Sequence, residues 1–155
     1  MYYDNISKGY NELHREEQLN KIRIISDNID ISENDSLLDV GSGTGFSFES
    51  FKCKKLGLDP SIELLKQSKD NVVCGVAENL PFKDNSFDIV VSVTALHNFE
   101  DVEKGLFEMK RVGKRFAFSV LKKSKKSELI KHLIENNFSV KKIIEEDKDL
   151  VFIIQ

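Results

Sequence analysis

The chain has 155 residues, 40% hydrophobic and 32% charged, with a formal net charge of −3; this is the balance of one soluble globular domain and excludes disordered, collagen-like and coiled-coil classes. Apolar stretches such as Ile89-Val90-Val91 fall far short of the ~20 residues that cross a bilayer, so no membrane span is expected. Cys53 and Cys74 form no Cys-x-x-Cys or Cys/His set, which points to a reducing cytoplasm and to no metal site.

Met1-Tyr2-Tyr3-Asp4 lacks the basic and apolar regions of a signal peptide. Tyr10, Leu13, Leu19, Ile22, Ile25 and Ile29 recur at helical spacing, so an amphipathic helix is predicted over 10–31. Asn34-Asp35-Ser36 ends it, and Ser36–Val40 reads as a buried strand running into Gly41-Ser42-Gly43-Thr44-Gly45. About two helical turns are predicted over 46–52, then a strand over 55–59. Pro60 at a first helical position and Ser61 near the cap start a helix reaching 69. A third strand is predicted over 71–76, and Phe87–Val93, rich in β-branched residues, over a fourth. A helix over 101–111, a strand over 115–121 and a helix over 127–137 follow. Strands over 140–144 and 150–154 close the chain around the tight turn Glu146-Asp147-Lys148-Asp149.

This alternation, ending in a hairpin, predicts an α/β fold: a doubly wound seven-stranded sheet, mostly parallel, with helices on both faces. Residues 1–155 are read as one domain, with 1–35 an amino-terminal lid and helix and 36–155 the core. Ligands of such sheets bind beyond the carboxyl ends of the strands, where the strand order reverses. The loops at those ends carry the candidate chemistry.

The first is Asp39-Val40-Gly41-Ser42-Gly43-Thr44-Gly45. Alternate glycines let the backbone turn sharply and approach a ligand without an intervening Cβ. A dinucleotide fingerprint would need glycine where Phe46 stands, so the usual nicotinamide pattern fails. Asp59 lies 18 residues beyond Gly41, at the end of the second strand. A carboxylate there can accept both hydroxyls of a ribose, although a strand-end Asp can also simply cap the next helix.

Three stretches resemble the class I S-adenosylmethionine-dependent methyltransferases, in the ubiquinone-biosynthesis-like group: 38–45, Gly57-Leu58-Asp59-Pro60-Ser61, and 75–90, from Gly75-Val76-Ala77-Glu78 to Phe87-Asp88-Ile89-Val90. The resemblance covers about residues 1–120 and implies a Rossmann-like core whose last strand is antiparallel. It implies that the glycine loop (Gly41, Ser42, Gly43, Gly45) packs on the methionine part of S-adenosylmethionine, with Asp39 orienting it. Asp59, followed by Pro60, takes the ribose, and the loop after the fourth strand, with Ser92 and Thr94, lies beneath the sulfonium. Val76 replaces the aspartate usual in the third motif, so adenine recognition falls to Ala77 and Glu78. S-adenosylhomocysteine would be the product.

His97 lies on the loop implied to line the acceptor pocket and reads either as a general base or as a cap of the next helix. The stretch 2–10 resembles the family's tyrosine-containing lid, with Tyr10 against the ligand; the alternative is that its tyrosines pack the first helix. An N-P-P-Y sequence is absent, which disfavours planar-amine acceptors. Between Lys110 and Lys142, eleven Lys/Arg face only Glu128 and Glu135, a local charge of +9. Lys122, Lys123, Lys125 and Lys126 read either as a platform for a phosphate-bearing acceptor such as tRNA or as a solvated loop. The expected activity is direct methyl transfer to a small molecule. The alternatives are an RNA methyltransferase using the lysine loop and a non-catalytic cofactor-binding subunit of an oligomer or partner complex. The shortness of the chain favours an acceptor that is small or held largely by something else.

Overall fold

A computed structural model describes residues 2–43, 50–68 and 71–155, with side chains in the first stretch from residue 12 onward. Within these, the chain runs α1 (Tyr2–Asn28), β1 (Ser36–Val40), β2 (Lys54–Asp59), α2 (Ile62–Leu65), β3 (Val72–Cys74), β4 (Phe87–Val93), α3 (Val102–Val112), β5 (Gly113–Leu121), α4 (Ser127–Asn137), β6 (Lys142–Glu145) and β7 (Asp149–Ile154). The strands form one sheet in the order β3-β2-β1-β4-β5-β7-β6. All neighbours are parallel up to β5, and β7 then pairs antiparallel with both β5 and β6. The doubly wound sheet and its carboxyl-terminal hairpin are therefore as the alternation of elements predicts.

Successive strand residues point to opposite faces, and the core divides accordingly. Leu38, Val90, Phe116, Phe118, Phe152 and Ile154 pack with α3 and α4. Leu37, Ile89, Val91, Ala117, Val151 and Ile153 pack with Ile22, Ile25 and Ile29 of α1. Helices thus cover both faces, and the central strands are too apolar to alternate because neither face meets water.

Several boundaries differ from the sequence expectation. The first helix begins at Tyr2, so the stretch expected as a lid is a continuation of α1 in its backbone. Leu13, counted on the apolar stripe, is 57% exposed, and the buried stripe is Ile22, Ile25 and Ile29. The helix expected to reach 69 is confined to α2: Ser61 is the cap, accepting the N–H of Leu64, and Pro60 precedes it instead of opening the helix. Only Leu65 of α2 is buried, so no apolar face extends it. The helix expected over 46–52 lies largely outside the described residues, and 50–52 are not helical. The third strand shortens to three residues and the sixth starts at Lys142. Asp101, expected as the first helical residue, is the cap of α3 and accepts the N–H of Lys104.

Candidate cofactor and acceptor site

β1 and β4 are neighbours, and from them the chain winds outward in opposite directions, so the carboxyl ends of β1, β2 and β4 surround the point where strand order reverses. β1 ends at Asp39, buried at 3% exposure, and Val40. The next two residues curl back onto β2: the N–H groups of Gly41 and Ser42 both donate to the Leu58 carbonyl, at 2.7 and 3.1 Å. That curl needs left-handed backbone at Gly41 (φ +81°) and again at Gly43 (φ +55°). At Gly41 space excludes a side chain as well, because a Cβ would lie 2.6 Å from the Cβ of Ala95.

Asp59 joins the loop to the second strand. Its Oδ2 accepts the N–H of Gly43 at 3.0 Å, and its Oδ1 accepts the N–H of Ser61 at 2.9 Å. Each oxygen keeps lone-pair capacity for a further donor, as a pair of ribose hydroxyls would supply. Ser42 has a buried hydroxyl with no hydrogen-bond partner among the described residues, an arrangement a folded chain normally avoids unless a ligand or water completes it. A sharply curled glycine loop, an orphaned hydroxyl within it and a strand-end carboxylate beside it fit S-adenosylmethionine. Asp39, Gly41, Ser42 and Gly43 would hold its amino-acid part and Asp59 its ribose. Gly45 lies outside the described residues, as does the side chain of Tyr10.

Other residues singled out from the sequence are engaged by the protein itself. The hydroxyl of Ser92, fully buried, donates to the Val40 carbonyl at 2.9 Å and fastens the end of β4 to the end of β1. Glu78 accepts the N–H of Asp101 at 3.2 Å, and Ala77 is buried. Pro60 is exposed, and its carbonyl faces the Cys74 thiol at 3.7 Å. Thr94 directs its hydroxyl to Asp149 Oδ2 at 2.7 Å and receives the Lys21 ammonium at 3.0 Å.

His97 stands in a short 3₁₀ turn, Leu96–Asn98, immediately after β4. Burial pushes its imidazole below the ordinary 6.5; the carboxylate of Asp149 opposes that shift, while Lys126 and Lys21 add to it. That shift favours the neutral ring, the form that accepts a proton.

Sequence reasoning missed a buried charged network beside this loop. Lys21 of α1 and Asp149 at the start of β7 are both buried, with Nζ 3.1 Å from Oδ1, an ion pair off the line of a hydrogen bond. Glu146, also buried, turns the hairpin by accepting the N–H groups of Lys148 and Asp149 at 3.0 and 2.9 Å. The one signal available was a lysine four residues before Ile25, on the face of α1 that is buried.

An α/β sheet with a glycine loop and a strand-end carboxylate at its switch point has the architecture of the Rossmann-like ligand-binding folds. The family profile described as a methyltransferase domain matches residues 38–120, and the chain belongs to that family, among the class I S-adenosylmethionine-dependent methyltransferases. It is 33% identical over 147 residues to the uncharacterized protein MJ1252 of Methanocaldococcus jannaschii, covering 88% of this chain and 57% of that one. It is 36% identical over 100 residues to the demethylmenaquinone methyltransferase of Paenarthrobacter aurescens, covering 59% of this chain and 40% of that one. Among solved structures it resembles the YcgJ protein of Bacillus subtilis, with TM-score 0.63 and 29% identity over 66% of this chain and 50% of that one. The chain spans about half the length of the curated relatives it matches.

Proposed function

We propose that this chain transfers the methyl group of S-adenosylmethionine to a small-molecule acceptor by direct in-line displacement. The observation that carries the reading is the junction at Asp59, where one carboxylate fixes the glycine loop through Gly43 and the α2 cap through Ser61 while retaining capacity for a ribose. When bound, the cofactor supplies a methyl group on a sulfonium: the acceptor's electron pair forms the new bond to carbon, and the electrons of the broken carbon–sulfur bond remain on sulfur as S-adenosylhomocysteine. The protein's part is to align and desolvate the acceptor, which supplies most of the acceleration in such a step. Neutral His97 takes the proton from acceptors that must lose one.

A small acceptor is favoured over RNA because two of the four cations in the lysine loop are tied into the fold. Lys122 pairs with Glu145 at 3.2 Å, and Lys126 donates to the Phe99 carbonyl at 3.3 Å. The demethylmenaquinone methyltransferase relative supports the same choice. We place the protein in the cytoplasm, a reading supported by free Cys53 and Cys74. Among the described residues no helix is long and apolar enough to cross a membrane.

The test is thermal unfolding with S-adenosylmethionine and S-adenosylhomocysteine. At 100 times the dissociation constant, binding adds about 2.7 kcal/mol, which raises Tm by about 5–10 °C in a domain of this size. Asp59→Ala should remove the shift. No shift in the wild type, or an equal shift in the variant, overturns the assignment. Methyl transfer from labelled cofactor to tRNA but to no small hydroxyl, amine or thiol acceptor would overturn the small-molecule reading alone.

A further inference from the structure

Thr94 is a β-branched residue in left-handed backbone, with φ +51°, a conformation that such residues adopt only when their surroundings impose it. Here the surroundings are identifiable. Its N–H is bonded to Ser119 through both the carbonyl, at 3.1 Å, and Oγ, at 2.8 Å. Its hydroxyl lies 2.7 Å from Asp149 Oδ2 and 3.0 Å from Lys21 Nζ. Three elements distant in sequence, α1, β5 and β7, thus converge on one residue. The next residue, Ala95, is the one whose Cβ occupies the space denied to a side chain at Gly41.

We propose that Lys21 and Asp149 are positioning residues: through the hydroxyl of Thr94 they hold the turn after β4 left-handed and so seat Ala95 against the glycine loop. The inference rests on the reading that this loop binds S-adenosylmethionine. A buried ion pair contributes little net stability compared with apolar side chains of the same volume. What it does supply is direction, because a carboxylate with one oxygen on a hydroxyl and the other on an ammonium accepts only one placement of both. The charges belong to the position of the turn, and the turn sets how closely the loop can curl over the methionine part of the ligand. The same device connects α1 to the acceptor side, since Lys21 lies on α1 and His97 stands three residues beyond Thr94.

The decisive experiment uses glycine at position 94, which adopts positive φ without needing a hydroxyl anchor. S-adenosylhomocysteine binding is measured by calorimetry, alongside thermal unfolding, for wild type, Thr94→Val, Thr94→Gly, Asp149→Asn and Asp149→Asn/Thr94→Gly. Thr94→Val keeps the shape and loses the anchor, so it should bind about tenfold more weakly than Thr94→Gly, a difference of about 1.4 kcal/mol. Asp149→Asn should also bind about tenfold more weakly than wild type, and adding Thr94→Gly to it should recover most of that loss. Its unfolding temperature should stay depressed, because glycine restores the turn and not the buried pair. The Thr94 pair keeps the test open even if the Asp149 variants fold poorly. Affinities of Thr94→Val and Thr94→Gly within about twofold of each other, or no recovery on adding glycine to Asp149→Asn, overturn the proposal. A wild type that does not bind S-adenosylhomocysteine overturns the cofactor reading instead.

Discussion

Replacing Gly41 with alanine tests the geometry of the glycine loop more sharply than any charge substitution. Two costs add at this position. Gly41 has φ +81°, where an L-residue loses about 1–2 kcal/mol. A Cβ would also lie 2.6 Å from the Cβ of Ala95, and relieving such a clash in a packed site costs about 1–3 kcal/mol. Against this, alanine stiffens the unfolded chain by about 0.4–1 kcal/mol in favour of folding. The net expectation is a loss of about 1–5 kcal/mol, a large share of the ~5–15 kcal/mol that holds a domain folded. Gly43→Ala is the internal control. It shares the left-handed backbone, at φ +55°, but among the described residues its Cβ would meet only Leu64 Cδ1 at an ordinary 3.9 Å. Its loss should be about 0–1.6 kcal/mol, smaller by the clash alone. Urea unfolding of both variants at equal protein concentration measures the difference. If the two lose the same within about 0.5 kcal/mol, a difference below what such extrapolations resolve, then Ala95 does not confine the loop and the close approach of β4's turn to the glycine loop is wrong.

Three further outcomes are expected. His97, followed by NMR of its ring carbon, should titrate below 6.5 because burial disfavours its charged form; its contribution to stability is then present above pH 6.5 and lost as the pH falls through the lower folded value, and a midpoint at or above 6.5 would refute the burial. Cys53, half-buried with its thiol pushed up by burial, should alkylate at pH 7.5 much more slowly than exposed Cys74, and mass spectrometry showing equal rates would contradict this. Ile25→Ala, at a fully buried position of α1 against the sheet, should cost about 2–5 kcal/mol, and a loss below about 1 kcal/mol would mean that α1 does not complete that core.

The elements legible in the sequence are those with one dominant local cause. Phe87–Val93 is a strand in the structure at the bounds its β-branched run predicts, and Ser127–Asn137 is a helix at the bounds its apolar spacing predicts. The ends set by tertiary contact were not legible. α2 stops after one turn because only Leu65 finds a core. β5 starts two residues early, at Gly113, because pairing with Phe87 extends it. The glycine loop and the strand-end acid stood out because they fall within 21 consecutive residues, 39–59, of one strand–loop–strand unit, and the structure joins them through Gly43 N–H and Asp59 Oδ2. The surroundings of Thr94 left no such local mark. Thr94 stood out as a contact to the ligand, yet its hydroxyl is turned to Lys21 and Asp149, 73 and 55 residues away.

The sequence by itself determined the class of fold, the order of its elements, the glycine loop, the acid of the second strand and the family to which they belong. Each of these rests on local backbone preference or on hydrophobic periodicity, which act over a few residues and leave their mark in neighbouring letters. Only the tertiary structure decided that a lysine of the first helix and an aspartate of the last hairpin meet at the turn after the fourth strand. That meeting depends on strand order: β7 inserts between β5 and β6, placing Asp149 opposite Leu121 at the end of β5 and within reach of Lys21 on α1. No local pattern encodes such a contact, because a buried charge is tolerated only where the whole fold supplies its partner.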